Sequence, residues 1–232
     1  KVALAFPDTY AMGMSSTGFK VLYGLWNEQP DMCCERVFAP WPDMEARMRE
    51  HGVPLYTLES FTPVREYDLL AFSVAYEMGF TNMLTMLDLA GIPLHAAERG
   101  MQDPLVIMGG HTAFAPEPIA DFVDAFCIGE GEELALEVAN KVVELKALGL
   151  SREELLYRLC REVEGVYVPR FYRFEYFPDG TIADVVPLRN RLPFPVKRRA
   201  VADFENAYFP TKQIVPYVET VFERFSIEIM RG

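Results

Sequence analysis

Residues 105–133, LVIMGGHTAFAPEPIADFVDAFCIGEGEE, hold two apolar runs that each stop at glycine. The run 105–108 ends at Gly109-Gly110, and 125–128 ends at Gly129-Glu130-Gly131. A run that is apolar at every position, not at every second one, predicts a strand covered on both faces. That is the condition of a parallel sheet sandwiched between helices. Ligands of such sheets bind beyond the carboxyl ends of the strands. Glycine pairs there leave the backbone bare and able to take positive φ, so it can lie against a flat or phosphate-bearing ligand. Either pair alone is better explained as a turn.

The rest of the chain supplies neighbours for these two strands. Val2–Phe6 predicts a first strand, followed by a loop over 7–13 and a helix over 14–28 with Phe19, Leu22, Tyr23, Leu25 and Trp26 at helical spacing. The small residues Gly13, Ser15, Ser16 and Gly18 keep the start of that helix open to a large neighbour. A second strand is expected at 36–40, with Pro42 opening a helix that His51 closes. A third strand, 68–74, contains Ser73 near its end and precedes a helix over 76–90 closed by Gly91. A short connecting helix over 116–122 and a long amphipathic one over 132–148 follow. Alternating strands and helices predict an α/β fold: a Rossmann-like, flavodoxin-like five-stranded parallel sheet in the order 2-1-3-4-5, helices on both faces. The loops after strands one, three and four should then lie side by side.

Beyond residue 150 the character changes. Ser151 and Glu154 form a capping-box signature for a helix over 151–161. Two β-rich arms, 166–177 and 181–186, flank Pro178-Asp179-Gly180, a hairpin signal. The Pro- and Arg-rich stretch 187–216 reads as a linker wrapping a surface, and 225–230 as a further strand. The expected organisation is an α/β domain over 1–150, a helix and β-hairpin extension over 151–200, and a linker with a first strand of something further over 201–232. Both ends fall in strand-like runs, as in a piece of a longer protein.

Composition narrows the function. A formal net charge of -12 argues against nonspecific binding of nucleic acid. No apolar run approaches the ~20 residues of a membrane helix. The four cysteines, Cys33, Cys34, Cys127 and Cys160, have no C-x-x-C spacing and read as reduced thiols of a cytoplasmic protein, with Cys127 a small core residue. His51 suits a helix terminus and His95 a surface loop, while His111 follows Gly109-Gly110 on the presumed ligand edge. A Ser/His/Asp grouping, H-E-x-x-H, a P-loop and G-x-G-x-x-G after the first strand are all missing, so ordinary hydrolase or dehydrogenase chemistry has no support.

The strand-end residues carry a resemblance. Asp8-x-Tyr10-x-x-Gly13, Ser73 and Gly109-Gly110 stand where cobalamin-binding domains carry D-x-H-x-x-G, S-x-L and G-G. Tyr10 replaces the histidine that ligates cobalt from below, and Ala75 replaces the leucine. The stretch GGHTAFAPEPIADFVDAFCIGEGEE resembles a segment of the cobalamin-binding amino-terminal domains of radical S-adenosylmethionine (radical SAM) proteins. IEIMRG, residues 227–232, resembles the first barrel strand of those enzymes, just before their C-x-x-x-C-x-x-C cluster loop.

The resemblance implies a domain that serves its own radical SAM barrel. S-adenosylmethionine and a 4Fe-4S cluster are expected only in the full-length protein, and this fragment is expected to be inactive by itself. Cobalamin would bind without a histidine lower ligand, with Asp8, Tyr10, Gly13, Ser15, Gly18, Ser73, Gly109, Gly110, His111, Gly129 and Glu130 as the candidate site. A phenol, with its pKa near ~10, is a poor cobalt ligand at neutral pH. Two other readings stay open. One is a cofactor-free module of the same fold that caps the barrel. The other is a nucleotide-binding enzyme using Asp8 and Glu130, which lacks a phosphate loop.

Overall fold

Five strands form the parallel part of one sheet: β1 (Val2–Phe6), β2 (Cys34–Phe38), β3 (Leu69–Ser73), β4 (Leu105–Gly109) and β5 (Ala125–Cys127), in the order β2-β1-β3-β4-β5. This is the expected flavodoxin-like order. The structure is a computed structural model in which residues 1–221 and Ile229 are described, so the strand expected at 225–230 lies, but for Ile229, outside the described residues. β2 starts two residues earlier than its apolar pattern suggests, because Asn27 pins it. The Asn27 side chain accepts from the Cys34 N–H at 3.0 Å and donates to the Cys34 carbonyl at 2.9 Å.

The helix expected over 14–28 is one helix, α2 (Thr17–Asn27), that starts three residues late, and the loop expected over 7–13 holds a helical turn, α1 (Tyr10–Gly13). α2 starts afresh where the Ser16 hydroxyl accepts from the Phe19 N–H at 3.3 Å. Serine so placed competes for backbone partners and ends one helix while opening the next. α3 (Pro42–His51) and α4 (Gly79–Leu89) follow, α4 beginning three residues later than expected. Residues Glu117–Phe122 form a 3-10 turn, not an α-helix. α5 (Gly131–Ala147) packs between α2 and α6 (Arg152–Glu162), while α3 packs on α4, so three helices cover one face and two the other. The Ser151 hydroxyl accepts from the Glu154 N–H, as its capping signature predicts. Trp26, fully buried, donates its indole N–H to the Ala135 carbonyl at 3.3 Å and ties α2 to α5.

The arm expected over 166–177 is divided. β6 (Val166–Tyr167) joins the main sheet antiparallel to β5. Pro169, with no N–H for a ladder, then opens a 3-10 turn. β7 (Tyr172–Tyr176) and β8 (Ile182–Pro187) form the expected hairpin as a separate two-stranded sheet.

Asp124, at the amino end of β5, anchors the opposite edge of the sheet. Its carboxylate is fully buried and accepts from Arg99 at 3.0 Å, Arg152 at 2.7 Å and the Val106 N–H at 2.9 Å. The other guanidinium donors bond the carbonyls of Pro93, Leu94, Phe122, Gly100, Asp103 and Pro104. Burial pulls Arg99 below the usual arginine range against the attraction of Asp124. One carboxylate thereby fixes two loops and the start of α6. Among the described residues, no helix is long and apolar enough to cross a membrane.

Candidate functional site

Order and parallel register bring the loops after β1, β3 and β4 together at the carboxyl edge, with Ser73 opposite Gly109. Beneath that edge, between the sheet and the first turns of α2 and α5, lies a cavity of about 190 Å³. Leu22 and Trp26 line it from α2, Ile107 and Cys127 from the strands, and Leu134 from α5. Gly18, Ser73, Gly109, Gly110 and Gly129 lie around it as well. Five of the sequence-selected residues are therefore at one cavity.

The glycines there have different reasons. Gly110 has φ +103°, and a Cβ on it would fall on the Val74 carbonyl; Thr112 donates to that carbonyl at 3.1 Å, and Val74 N–H donates to the Gly109 carbonyl at 2.9 Å. It is the β3 loop, not a ligand, that approaches Gly110. Gly109 is ordinary strand, and the nearest atom to a Cβ there is the Cys127 Cβ at 3.7 Å, so the positive-φ argument applies to Gly110 and not to Gly109. Gly109 is bare toward the cavity. Gly129, φ +117°, is covered by the backbone of Arg199, whose N–H donates to the Ile128 carbonyl at 2.8 Å and whose carbonyl accepts from the Glu130 N–H at 2.9 Å. The Arg199 guanidinium reaches Glu133 at 3.1 Å and Glu137 at 2.8 Å, lowering the Glu133 carboxyl below its usual range.

The remaining sequence-selected residues lie off the cavity. Asp8 bridges the loops after β1 and β3: it accepts from the Thr9 N–H at 2.6 Å and from the Tyr76 hydroxyl. Burial and the Asp8 carboxylate push the Tyr76 phenol up to about 12. Gly13 is buried, and a Cβ there would overlap the Phe38 ring, so its smallness serves packing. The Ser15 hydroxyl donates to the Ala11 carbonyl at 2.8 Å. His111 is exposed at the start of a 3-10 turn, and Glu130 occupies the N-cap position of α5 while its carboxylate turns away from the helix to accept from the Val201 N–H.

Tyr10 faces a second hollow of about 570 Å³, walled by Phe38, Trp41, Met44, Tyr56 and Tyr217. Its ring sits edge-on to Phe38 at 5.2 Å and stacks with Tyr217 at 6.4 Å, and its hydroxyl accepts from the Tyr217 N–H at 3.0 Å. The linker thus returns to the carboxyl edge at both Arg199 and Tyr217.

Residues that sequence reasoning did not select complete the cavity. Leu22 and Trp26 belong to a helical apolar stripe, which does not distinguish core from cavity wall. Cys127 is half-buried in the wall, and burial pushes its thiol up to about 12, so it is an inert surface. Among the described residues, no group of three or more His, Cys, Asp or Glu is placed to hold a metal ion.

The family model for the N-terminal region of radical SAM proteins matches residues 18–169, from the start of α2 to the turn after β6. The chain belongs to that family. No curated protein and no solved structure matches it. The matched region of this radical SAM N-terminal domain contains nearly every wall of the cavity, and Tyr10 and Asp8 precede it.

Proposed function

We propose that this radical SAM N-terminal domain binds cobalamin, with the planar base of the nucleotide tail in the 190 Å³ cavity and no protein imidazole on cobalt. The cavity carries the reading. Apolar cavities of about 150 Å³ hold a benzene-sized guest, so this one suits a somewhat larger flat ring system. Its mouth is at the carboxyl edge beside Ser73 and Gly109-Gly110, the residues through which the sequence resembles cobalamin-binding domains. Cobalamin would bring a redox-active, methyl-carrying cobalt to that edge. Radical chemistry, with its S-adenosylmethionine and cluster, belongs to the rest of the protein.

A specific observation favours the alternative, a cofactor-free module that caps the catalytic domain. The chain's own linker already covers Gly129 with Arg199 and Tyr10 with Tyr217. Equilibrium dialysis against hydroxocobalamin separates the two. The domain is expected to retain cobalamin at concentrations on the order of tens of micromolar, a binding free energy of roughly -6 kcal/mol or better. Tyr10→Phe is expected to bind within about twofold of wild type, because its hydroxyl serves Tyr217 and its ring lies in the second hollow. No retention by the wild-type domain would leave the cofactor-free module.

A further inference from the structure

The hairpin of β7 and β8 has two outer edges, and only one of them is blocked. The Leu188 N–H donates to the Phe171 carbonyl at 2.8 Å, and the Phe177 N–H to the Thr181 carbonyl at 2.8 Å. Positions between these bonds alternate, so Arg173 and Glu175 bond across the hairpin to Val186 and Asp184. Tyr172, Phe174 and Tyr176 therefore turn their backbone groups outward on β7, as Val185 and Pro187 do on β8. On β8 those groups are spoiled for pairing. Pro187 has no N–H, the Val185 N–H is taken by the Asp184 carboxylate at 2.8 Å, and the register shifts past Ala183. Such devices keep a strand edge from meeting another strand. β7 carries neither a proline nor a side chain that takes an outward N–H, and among the described residues its one strand neighbour is β8. Its apolar face is also open: Phe174 and Tyr176 stack at 6.5 Å, with Tyr176 62% exposed.

We infer that β7 pairs with β7 of a second copy of the chain, antiparallel and centred on Phe174, giving a four-stranded sheet in the order β8-β7-β7-β8. A lone two-stranded hairpin is marginal in water, whereas a wider sheet with an apolar face is stable. The strand sequence, Tyr-Arg-Phe-Glu-Tyr, selects the partner because it is complementary to itself. Two-fold pairing about Phe174 sets Tyr172 opposite Tyr176 of the other copy, and Arg173 opposite its Glu175. Phe174 and its mate then exchange the outward backbone bonds, and Arg173 faces Glu175 at the positions where side chains stand closer. Those two side chains are 60% and 49% exposed and bond each other along one strand at 2.9 Å. Parallel pairing in register would instead set arginine on arginine and glutamate on glutamate, which is repulsive. No hairpin residue lines the cavity, so this inference stands apart from cobalamin binding.

The test uses the full-length protein with Cys33→Ser, which removes the exposed native thiol. R173C mixed with E175C should form a disulfide-linked pair under mild oxidation, because facing β carbons lie about 4.5–5.5 Å apart. Either variant alone should give at most about a tenth of that yield, since its new thiol faces a charged side chain and not another thiol. In parallel, sedimentation equilibrium of R173E should show the dimer dissociation constant raised at least about tenfold, because like charges then face each other. An equimolar mixture with E175R should restore it, which loss of the ion pair within one strand cannot do. No disulfide in the mixture, equal yield from either variant alone, a monomeric wild type, no loss in R173E or no restoration by E175R would each overturn the inference.

Discussion

Asp124→Asn is expected to destabilise the domain by about 3–5 kcal/mol, because it leaves two buried guanidiniums without their counter-charge. Arg99 and Arg152 have almost no exposed side-chain surface, and each bonds the same carboxylate oxygen. An amide of the same shape keeps one acceptor but removes the charge, and its N–H2 faces donors. For a domain of this size the loss corresponds to a fall in melting temperature of roughly 10 °C. Thermal unfolding of the two proteins measures it. A midpoint within about 2 °C of wild type would mean that the carbonyls around the arginines suffice.

Gly109→Val should weaken cobalamin binding by at least about a hundredfold, equivalent to ~2.7 kcal/mol, while leaving the fold intact. The two outcomes separate because of local geometry. A Cβ at Gly109 meets only ordinary contacts and the residue is plain strand, so the sheet accepts a β-branched side chain. The added methyls take up space at the cavity wall, where a Cβ on Gly109 already stands 3.7 Å from the Cys127 Cβ. Dialysis of the variant beside wild type, with thermal unfolding to verify the fold, reads both. Unchanged binding in a folded variant would remove the cavity from the ligand's path.

Most of the sheet was readable in the sequence because β1, β3, β4 and β5 are covered on both faces and marked by apolar runs, whereas β2 carries Glu35 and Arg36, buried against Thr57, Ser60 and Glu59. The strand order then follows from crossover handedness and the position of the glycine-ended strands. β6 has two residues, and its strand character comes only from pairing with Phe126 and Cys127. The late start of α2 was hidden because Ser15 and Ser16 suit a helix's first turn as well as a gap. At the site, the Gly109-Gly110 pair was visible, but which glycine takes positive φ depends on Val74 arriving from another strand. Gly129 and Glu130 looked free to meet a ligand; Arg199 and Val201, some seventy residues away, satisfy them. Asp124, sitting in DFVDAF, gave no local sign of the arginines that converge on it.

The most direct test of cobalamin seated by its base is the paramagnetic resonance spectrum of the protein-bound cofactor reduced to cobalt(II). A base held in the cavity cannot also coordinate cobalt, and Tyr10 offers no nitrogen. A base so held gives a cobalt signal without nitrogen superhyperfine splitting. A signal split into triplets by one axial nitrogen would contradict it.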